Sequence, residues 1–227
     1  MRSSVFVVVP AFNEGSVILT TVQHLTHAGY TVVVVDDGST DGTAEFLANL
    51  PIYLLRHAIN LGQGAALQTG MSFALENGAD VVVHFDADGQ HKVEDIETLI
   101  RPLLSGEADV VLGSRFLRDG DRLAVPPLRR LMLKTAVVVN RLATGFWLTD
   151  AHNGLRALTA DAAKRIHLRE NGFAHATEIV DEIGRAGLRY VERPTSITYT
   201  DYSKAKGQSI WNAFNITVDL LLKGLFK

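Results

Sequence analysis

Short β-branched runs alternate along the first half of the chain with longer stretches whose apolar residues recur near every 3.6 positions. Val5–Val9, Thr31–Val35, Ile52–Leu55, Val81–Phe85 and Asp109–Leu112 predict strands, and Ser16–Ala28, Thr40–Leu50, Gly64–Glu76 and Val93–Leu104 predict helices. The strand runs are unbroken rather than alternating, the mark of strands buried on both faces, so the expected fold class is α/β: a mainly parallel sheet flanked by helices. Ligands collect at the carboxyl ends of the strands in such sheets. The polar clusters fall there: Asn13-Glu14, Asp36-Asp37, Asp86 with Asp88, and Ser114-Arg115.

Beyond residue 115 the pattern changes. A basic loop containing Pro126-Pro127 leads into an expected long helix from Leu128 to Thr144, then a polar turn from Thr149 to Gly154. A helix near Ala174–Ala186, two short strands near Arg189–Glu192 and Ser196–Tyr199, a polar loop to Gly207 and a terminal helix from Ile210 to Lys227 follow. No internal repeat, low-complexity tract or linker interrupts this order. The expectation is one domain, 1–227, with a nucleotide-sugar-binding half (1–115) and an acceptor-binding extension (116–227).

The apolar run before Pro10 is too short for a secretory signal, and no segment reaches the roughly 18–20 apolar residues that span a bilayer. Lys134, Asn140 and Arg141 interrupt the best middle candidate, and Asp219 and Lys223 the last. The terminal helix, with Trp211 and Phe226 beside Lys223 and Lys227, reads either as a packed surface helix or as one that lies on a membrane surface or docks on a membrane-protein partner.

Composition narrows the classes. A chain of 227 residues that is 47% apolar can bury a sizeable core. Lys and Arg number 22 against 25 Asp and Glu, a formal charge of -3, so no global attraction draws it to nucleic acid. The absence of cysteine excludes disulfides, thiolate ligands and thiol nucleophiles, and fits a cytoplasmic protein.

Asp86-Ala87-Asp88-Gly89-Gln90-His91 follows an apolar strand, whose alternation lets both acids point one way. Two carboxylates and an amide oxygen suit a hard Mg2+ or Mn2+ ion shared with a diphosphate; the same letters also make an ordinary strand-end turn. In Asp36-Asp37-Gly38-Ser39-Thr40-Asp41, Ser39 or Thr40 is expected to cap the next helix. A cap needs no second acid, and Asp37 is read as accepting from a nucleobase edge or a ribose hydroxyl. Asn60-Leu61-Gly62-Gln63-Gly64 resembles a phosphate cradle at a helix N-terminus, without the lysine of a P-loop. Arg115, the pair Arg129-Arg130, and Lys204 with Lys206 offer cations that matter only if they converge on phosphate. His91 and His152 are left without a role.

Taken in order, Pro10-Ala11-Phe12-Asn13-Glu14, Asp36 to Asp41, Asn60 to Gly64, Asp86 to His91, Gly113-Ser114-Arg115 and Thr149-Asp150 through Arg156 resemble the family 2 glycosyltransferases. The branch resembled is that of the dolichol-phosphate mannosyltransferases and polyprenyl-phosphate glycosyltransferases. The resemblance implies a GT-A fold, a nucleotide diphosphate sugar donor, one Mg2+ or Mn2+ ion and inversion by single displacement. It places Pro10, Ala11, Glu14 and Asp37 at the nucleoside, with Gly62, Ala87 and Lys204 also on the donor side, and Asp86, Asp88 and Gln90 at the metal. It makes Arg115 a holder of phosphate groups, turns Arg129 or Arg130 toward an acceptor phosphate, and gives Asp150 the place of the candidate base. In that branch the acceptor turn ends Ser-Gly-Phe-Arg, where this chain has Asn153-Gly154-Leu155-Arg156, and an arginine is usual at Lys204.

The expected activity is transfer of a hexose from a UDP- or GDP-linked sugar to a polyprenyl phosphate or a saccharide, near the inner membrane face. A sugar nucleotidyltransferase and a non-catalytic nucleotide-sugar-binding protein are the alternatives. A sugar hydroxyl needs a positioned base, whereas a lipid phosphate is already anionic and needs only cations. The two acceptors therefore make different demands on Asp150.

Overall fold

The computed structural model describes residues 3–117, 148–150, 153–172 and 174–198. The expected helices Leu128–Thr144 and Ile210–Lys227, together with Arg129, Arg130, His152 and Lys204, lie outside the described residues.

The strands β1 (Val5–Ala11), β2 (Thr31–Asp36), β3 (Tyr53–Arg56), β4 (Val81–His84), β5 (Val110–Ser114), β6 (Arg156–Thr159) and β7 (Tyr190–Pro194) form one sheet in the order β3-β2-β1-β4-β6-β5-β7. Its pairs are parallel except those of β6, which runs antiparallel between β4 and β5. Helices α1 (Val17–His27), α2 (Thr43–Leu47) and α4 (Asp95–Leu104) cover one face. Helices α3 (Gln63–Glu76), α5 (Ala160–Arg165) and α6 (His175–Arg185) cover the other. The strand β1 shows why its pattern is unbroken: Phe6 and Val8 enter one core, Val7, Val9 and Ala11 the other. No helix among the described residues is long and apolar enough to cross a membrane.

Local chemistry explains the departures from expectation. β1 continues through Pro10, which lacks an amide hydrogen. Val8 O accepts from Phe85 N, so Pro10, two residues on, turns its nitrogen to the same side, where pairing with β4 has already ended at His84. Helix α2 starts at Thr43 with Gly42 as its N-cap, so neither Ser39 nor Thr40 caps it. Ser39 Oγ instead accepts from Asn13 N at 2.9 Å and the Thr40 amide donates to Asn13 Oδ1 at 2.9 Å, bonds that tie this loop to the end of β1. The pair β6–α5 was not expected. Among the described residues only the first of the two late strands forms; of the second, Ile197 makes an isolated antiparallel bridge to His91. β6 and β7 come from beyond residue 115 yet share the sheet with β1–β5.

Helix α3 lies tightly on the sheet because Gly70 faces it: a Cβ there would collide with Val8 Cγ1 and meet Val35 Cγ2 at 3.2 Å. Alanine would gain about 1 kcal/mol in helix propensity, but Val8 is fully buried and β-branched, and overpacking costs about 1–3 kcal/mol. We therefore expect Gly70→Ala to lower stability in urea unfolding, and Val8→Ala in the same chain to recover part of the loss.

Candidate active site

The carboxyl ends of β1, β2 and β4 bring three acidic groups to one edge of the sheet. At β2 the adjacent acids separate their charges by facing different partners. Asp36 Oδ1 accepts from Ser39 N at 2.9 Å, and Arg56 Nε lies 3.1 Å from Oδ2. Asp37 Oδ1 accepts from His57 Nδ1 at 2.7 Å and Leu61 N at 2.9 Å, and its Oδ2 accepts from Gly62 N at 2.7 Å. His57 Nε2 in turn meets Thr69 Oγ1 at 3.0 Å.

Those bonds revise the phosphate-cradle reading of Asn60–Gly64. The amides of Leu61 and Gly62 are taken by Asp37, and that of Gly64 by Asn171 O at 2.8 Å. Gly62 and Gly64 are needed for room. A Cβ on the first would strike Asn171 O, and on the second Glu170 O. Gly62 is thus packed against Asn171 with its amide held by Asp37.

After β4, Asp86 is engaged on both oxygens: Gln63 Nε2 donates to Oδ1 at 3.2 Å, and His91 Nε2 lies 3.1 Å from Oδ2. The backbone at Gly154 presses on the same carboxylate, since a Cβ there would overlap Asp86 Oδ2. Asp88 accepts from the Gln90 amide at 3.0 Å. Burial, then the charge of Asp86 and more weakly that of Glu14, push the Asp88 carboxyl up to about 6. Burial acts on Asp86 the same way, but the hydrogen bond from His91 and the charges of His91, Arg156 and His175 outweigh it and hold Asp86 low. Among the described residues no three His, Asp or Glu side chains gather as a metal cage. The oxygen-only pair Asp86–Asp88, with Gln90 beside it, fits a hard divalent cation whose remaining ligands come from a diphosphate.

Behind Asp86 lies a buried basic group that the sequence did not flag. His84 on β4 pairs in register with Arg156 on β6, and His175 at the start of α6 acts on both His84 and Asp86. His84 is 1% exposed, and neither ring nitrogen has a hydrogen-bond partner among the described residues. Burial, reinforced by Arg156 and His175, lowers its pKa to about 3. Burial also lowers Arg156 to about 10, which leaves it charged at neutral pH.

Beyond the end of β5, Arg115 and Asp150, 7% and 3% exposed, form a two-pronged ion pair. Arg115 Nε donates to Oδ2 and Nη2 to Oδ1, each at 2.6 Å, and the Arg115 amide adds a bond to Oδ2 at 3.1 Å. The charge of Arg115, expected to hold phosphate groups, is met by Asp150, and the carboxylate in the place of the candidate base accepts from Arg115 on both oxygens. Glu192 on β7 underlies the turn. Its carboxylate accepts from the Thr149 amide and hydroxyl at 2.9 Å and from the Asp150 amide at 3.2 Å, while burial pushes its own carboxyl up. Thr149 Oγ1 meets Ser114 Oγ at 2.6 Å, closing the link to β5. Sequence reasoning missed His57, His84, Arg156, His175 and Glu192 as members of the site. Arg156 and Glu192 stood inside quoted motifs; the three histidines carried no spacing signal.

A mostly parallel sheet with acids at the ends of β2 and β4, and a charged turn packed across from them, defines a GT-A glycosyltransferase. The chain belongs to glycosyl transferase family 2, which it matches over residues 6–166. It is 30% identical to the UDP-N-acetylglucosamine--dolichyl-phosphate N-acetylglucosaminyltransferase of Methanococcus voltae, over 96% of this chain and 95% of that protein. It is 31% identical to the undecaprenyl-phosphate mannosyltransferase of Micrococcus luteus, over 89% of this chain and 86% of that protein. In fold it is similar to glucosyl-3-phosphoglycerate synthase from Mycobacterium tuberculosis in complex with Mn2+, uridine diphosphate and phosphoglyceric acid, with a TM-score of 0.70 and 16% identity over 98% of this chain and 78% of that one. These relatives place the chain in the polyprenyl-phosphate glycosyltransferase branch of the family.

Two outcomes are expected. In urea unfolding, Arg115→Met and Asp150→Ala each lose about 3–5 kcal/mol, because each strands a buried charge. The double variant loses less than the sum, since the second change removes the stranded partner. For His84, the unfolded chain takes up a proton near pH 6.5 while the fold resists until about 3. Its stabilising contribution is full above pH 6.5 and declines on acidification at about 1.4 kcal/mol per pH unit. His84→Leu is expected to remove one proton's worth of slope between pH 6 and 4; an unchanged slope would show that His84 does not carry it.

Proposed function

We propose that this enzyme transfers a hexose from a nucleotide diphosphate sugar to a polyprenyl phosphate, with inversion in a single displacement. The observation that carries the choice of acceptor is the Arg115–Asp150 pair. A hydroxyl acceptor requires a base, and Asp150, the carboxylate in that place, has both oxygens bound by Arg115. A phosphate acceptor arrives already ionised and requires none. The relatives named for dolichyl and undecaprenyl phosphate support the same reading.

In this reading Pro10, Ala11, Glu14 and Asp37 receive the nucleoside. Asp37 keeps acceptor capacity on Oδ2, which takes one protein donor where Oδ1 takes two. Asp86, Asp88 and Gln90 would hold Mg2+ or Mn2+, which when bound supplies positive charge against the departing diphosphate. Asp86 stays ionised because His91, Arg156 and His175 stand around it, and Ala87 is buried between the two acids. Arg129, Arg130 and Lys204 are assigned to the phosphates of acceptor and donor. The Arg115–Asp150 pair, seated on Glu192, holds the acceptor-side backbone rather than touching a proton in flight. An acceptor with a lipid tail places the reaction at a membrane surface.

The test is a panel of UDP- and GDP-hexoses with Mn2+ and three acceptors: a short polyprenyl phosphate, the matching alcohol and a free saccharide. Transfer is expected to the phosphate alone, giving an acid-labile glycosyl phosphodiester. Transfer to the alcohol or saccharide would sink the assignment. Arg129→Ala or Arg130→Ala is expected to raise the KM for the lipid phosphate at least tenfold, a loss of about 1.4 kcal/mol, with the donor KM held within about twofold.

A further inference from the structure

The segment Leu61–Gly64 touches both acidic centres of the donor half. Its first two amides, of Leu61 and Gly62, donate to Asp37 at 2.9 and 2.7 Å. The next residue, Gln63, sends its side-chain amide to Asp86 Oδ1 at 3.2 Å. The fourth, Gly64, anchors the segment through its amide to Asn171 O at 2.8 Å. Neither glycine can take a side chain without displacing backbone at Glu170 or Asn171, so the segment is braced from behind as well. Four consecutive residues thus join the end of β2 to the end of β4.

We infer that Gln63 is a positioning residue for Asp86, carried on a strut, Leu61–Gly64, that makes binding at Asp37 and binding at Asp86 and Asp88 felt at each other's site. This rests on the proposed placement of the nucleoside at Asp37 and of the cation at Asp86 and Asp88. The physical reason is the way Asp86 is held. Its Oδ2 meets a ring nitrogen of His91, a buried side chain packed edge-on against Phe85 at 5.7 Å between ring centres. Its Oδ1 accepts from Gln63, among the described residues the one hydrogen bond that links the Asp37 loop to this carboxylate. A neutral amide donor fixes the orientation of the carboxylate without cancelling its charge, as an outer-shell partner of a cation ligand must. A ligand on Asp37 pulls on amides one and two residues from Gln63, and linkage makes the effect reciprocal.

The test uses the full chain and two variants: Gln63→Ala, which deletes the side chain, and Gln63→Met, which keeps its length and loses the donor. Mn2+ affinity is read without nucleotide, by electron paramagnetic resonance of the free ion and by calorimetry. Both variants are expected to bind Mn2+ about tenfold more weakly, with melting temperatures within about 2 °C of the parent. Uridine and guanosine are then titrated with and without Mn2+. Neither carries a phosphate that could bridge to the ion, so any mutual strengthening must travel through the protein. The parent is expected to show at least threefold strengthening with the nucleoside it prefers, and both variants none. Mn2+ affinity within twofold of the parent in both variants, or coupling that survives in them, overturns the inference while leaving the donor site standing. A parent that binds neither Mn2+ nor nucleoside removes the proposed donor site and the strut with it.

Discussion

The turn beyond β5 rests on two opposite charges held together where water hardly reaches. Removing Arg115 and Asp150 from water costs several kcal/mol per ion, and a single contact does not return that. The recovery comes from geometry: two parallel N–H···O bonds of 2.6 Å, a third from the Arg115 amide, and a carboxylate from β7 that satisfies the amides of the turn. Charge pairing here is less a source of net stability than a constraint on shape. The pair and the Thr149–Ser114 bond hold residues 149 and 150 at the end of β5, and Gly154 lies against Asp86 just before β6.

The entry into β6 shapes the electrostatics around Asp86 and Asp88. β6 enters the sheet between β4 and β5 and sets Arg156 beside His84, behind the acidic pair. The two acids of the pair then live in different surroundings. Asp86 backs onto positive charge and remains ionised; Asp88 faces Asp86 and Glu14 and is raised to about 6. The neutral state of His84 belongs to the same arrangement: burial keeps the ring uncharged, and the neighbouring Arg156 and His175 act in the same direction. Carboxylates two residues apart thereby acquire unlike characters from their environment alone.

The legible part of the fold was the part whose signal is local. β1, β2 and β4 read directly because runs of valine buried on both faces leave no other interpretation, and the acids that follow them fall at the edge where ligands collect. β6 did not read. Its residues Arg156-Ala157-Leu158-Thr159 open with a charge, and the carboxylates that let it be buried, that of Asp150 in the preceding turn and that of Asp86 far earlier in the chain, lie outside the strand itself. Helix α2 was drawn too long because Ser39 and Thr40 are good capping residues, but in the fold they serve Asn13 instead. In Asn60–Gly64 the two glycines resemble those of a phosphate cradle, and in the fold they make way for the backbone of residues 170 and 171. A sequence shows that a glycine is present without showing whether a phosphate or a neighbouring loop needs the space.

The same limit applies with more force to Asp150. Its position after Thr149 matches the place where a base belongs, and the type of residue is right for one. What decides its chemistry is the residue across from it. A carboxylate open to an acceptor hydroxyl takes a proton; one gripped on both oxygens by a guanidinium has spent its basicity on the ion pair. Arg115 sits 35 positions away in sequence, so spacing could not disclose the pairing. The pairing also removes the charge of Arg115 from those available to bind phosphate, which leaves that duty to other cations of the chain. Under the proposed function, an acceptor that brings its own negative charge is consistent with this arrangement, because it asks for no proton transfer.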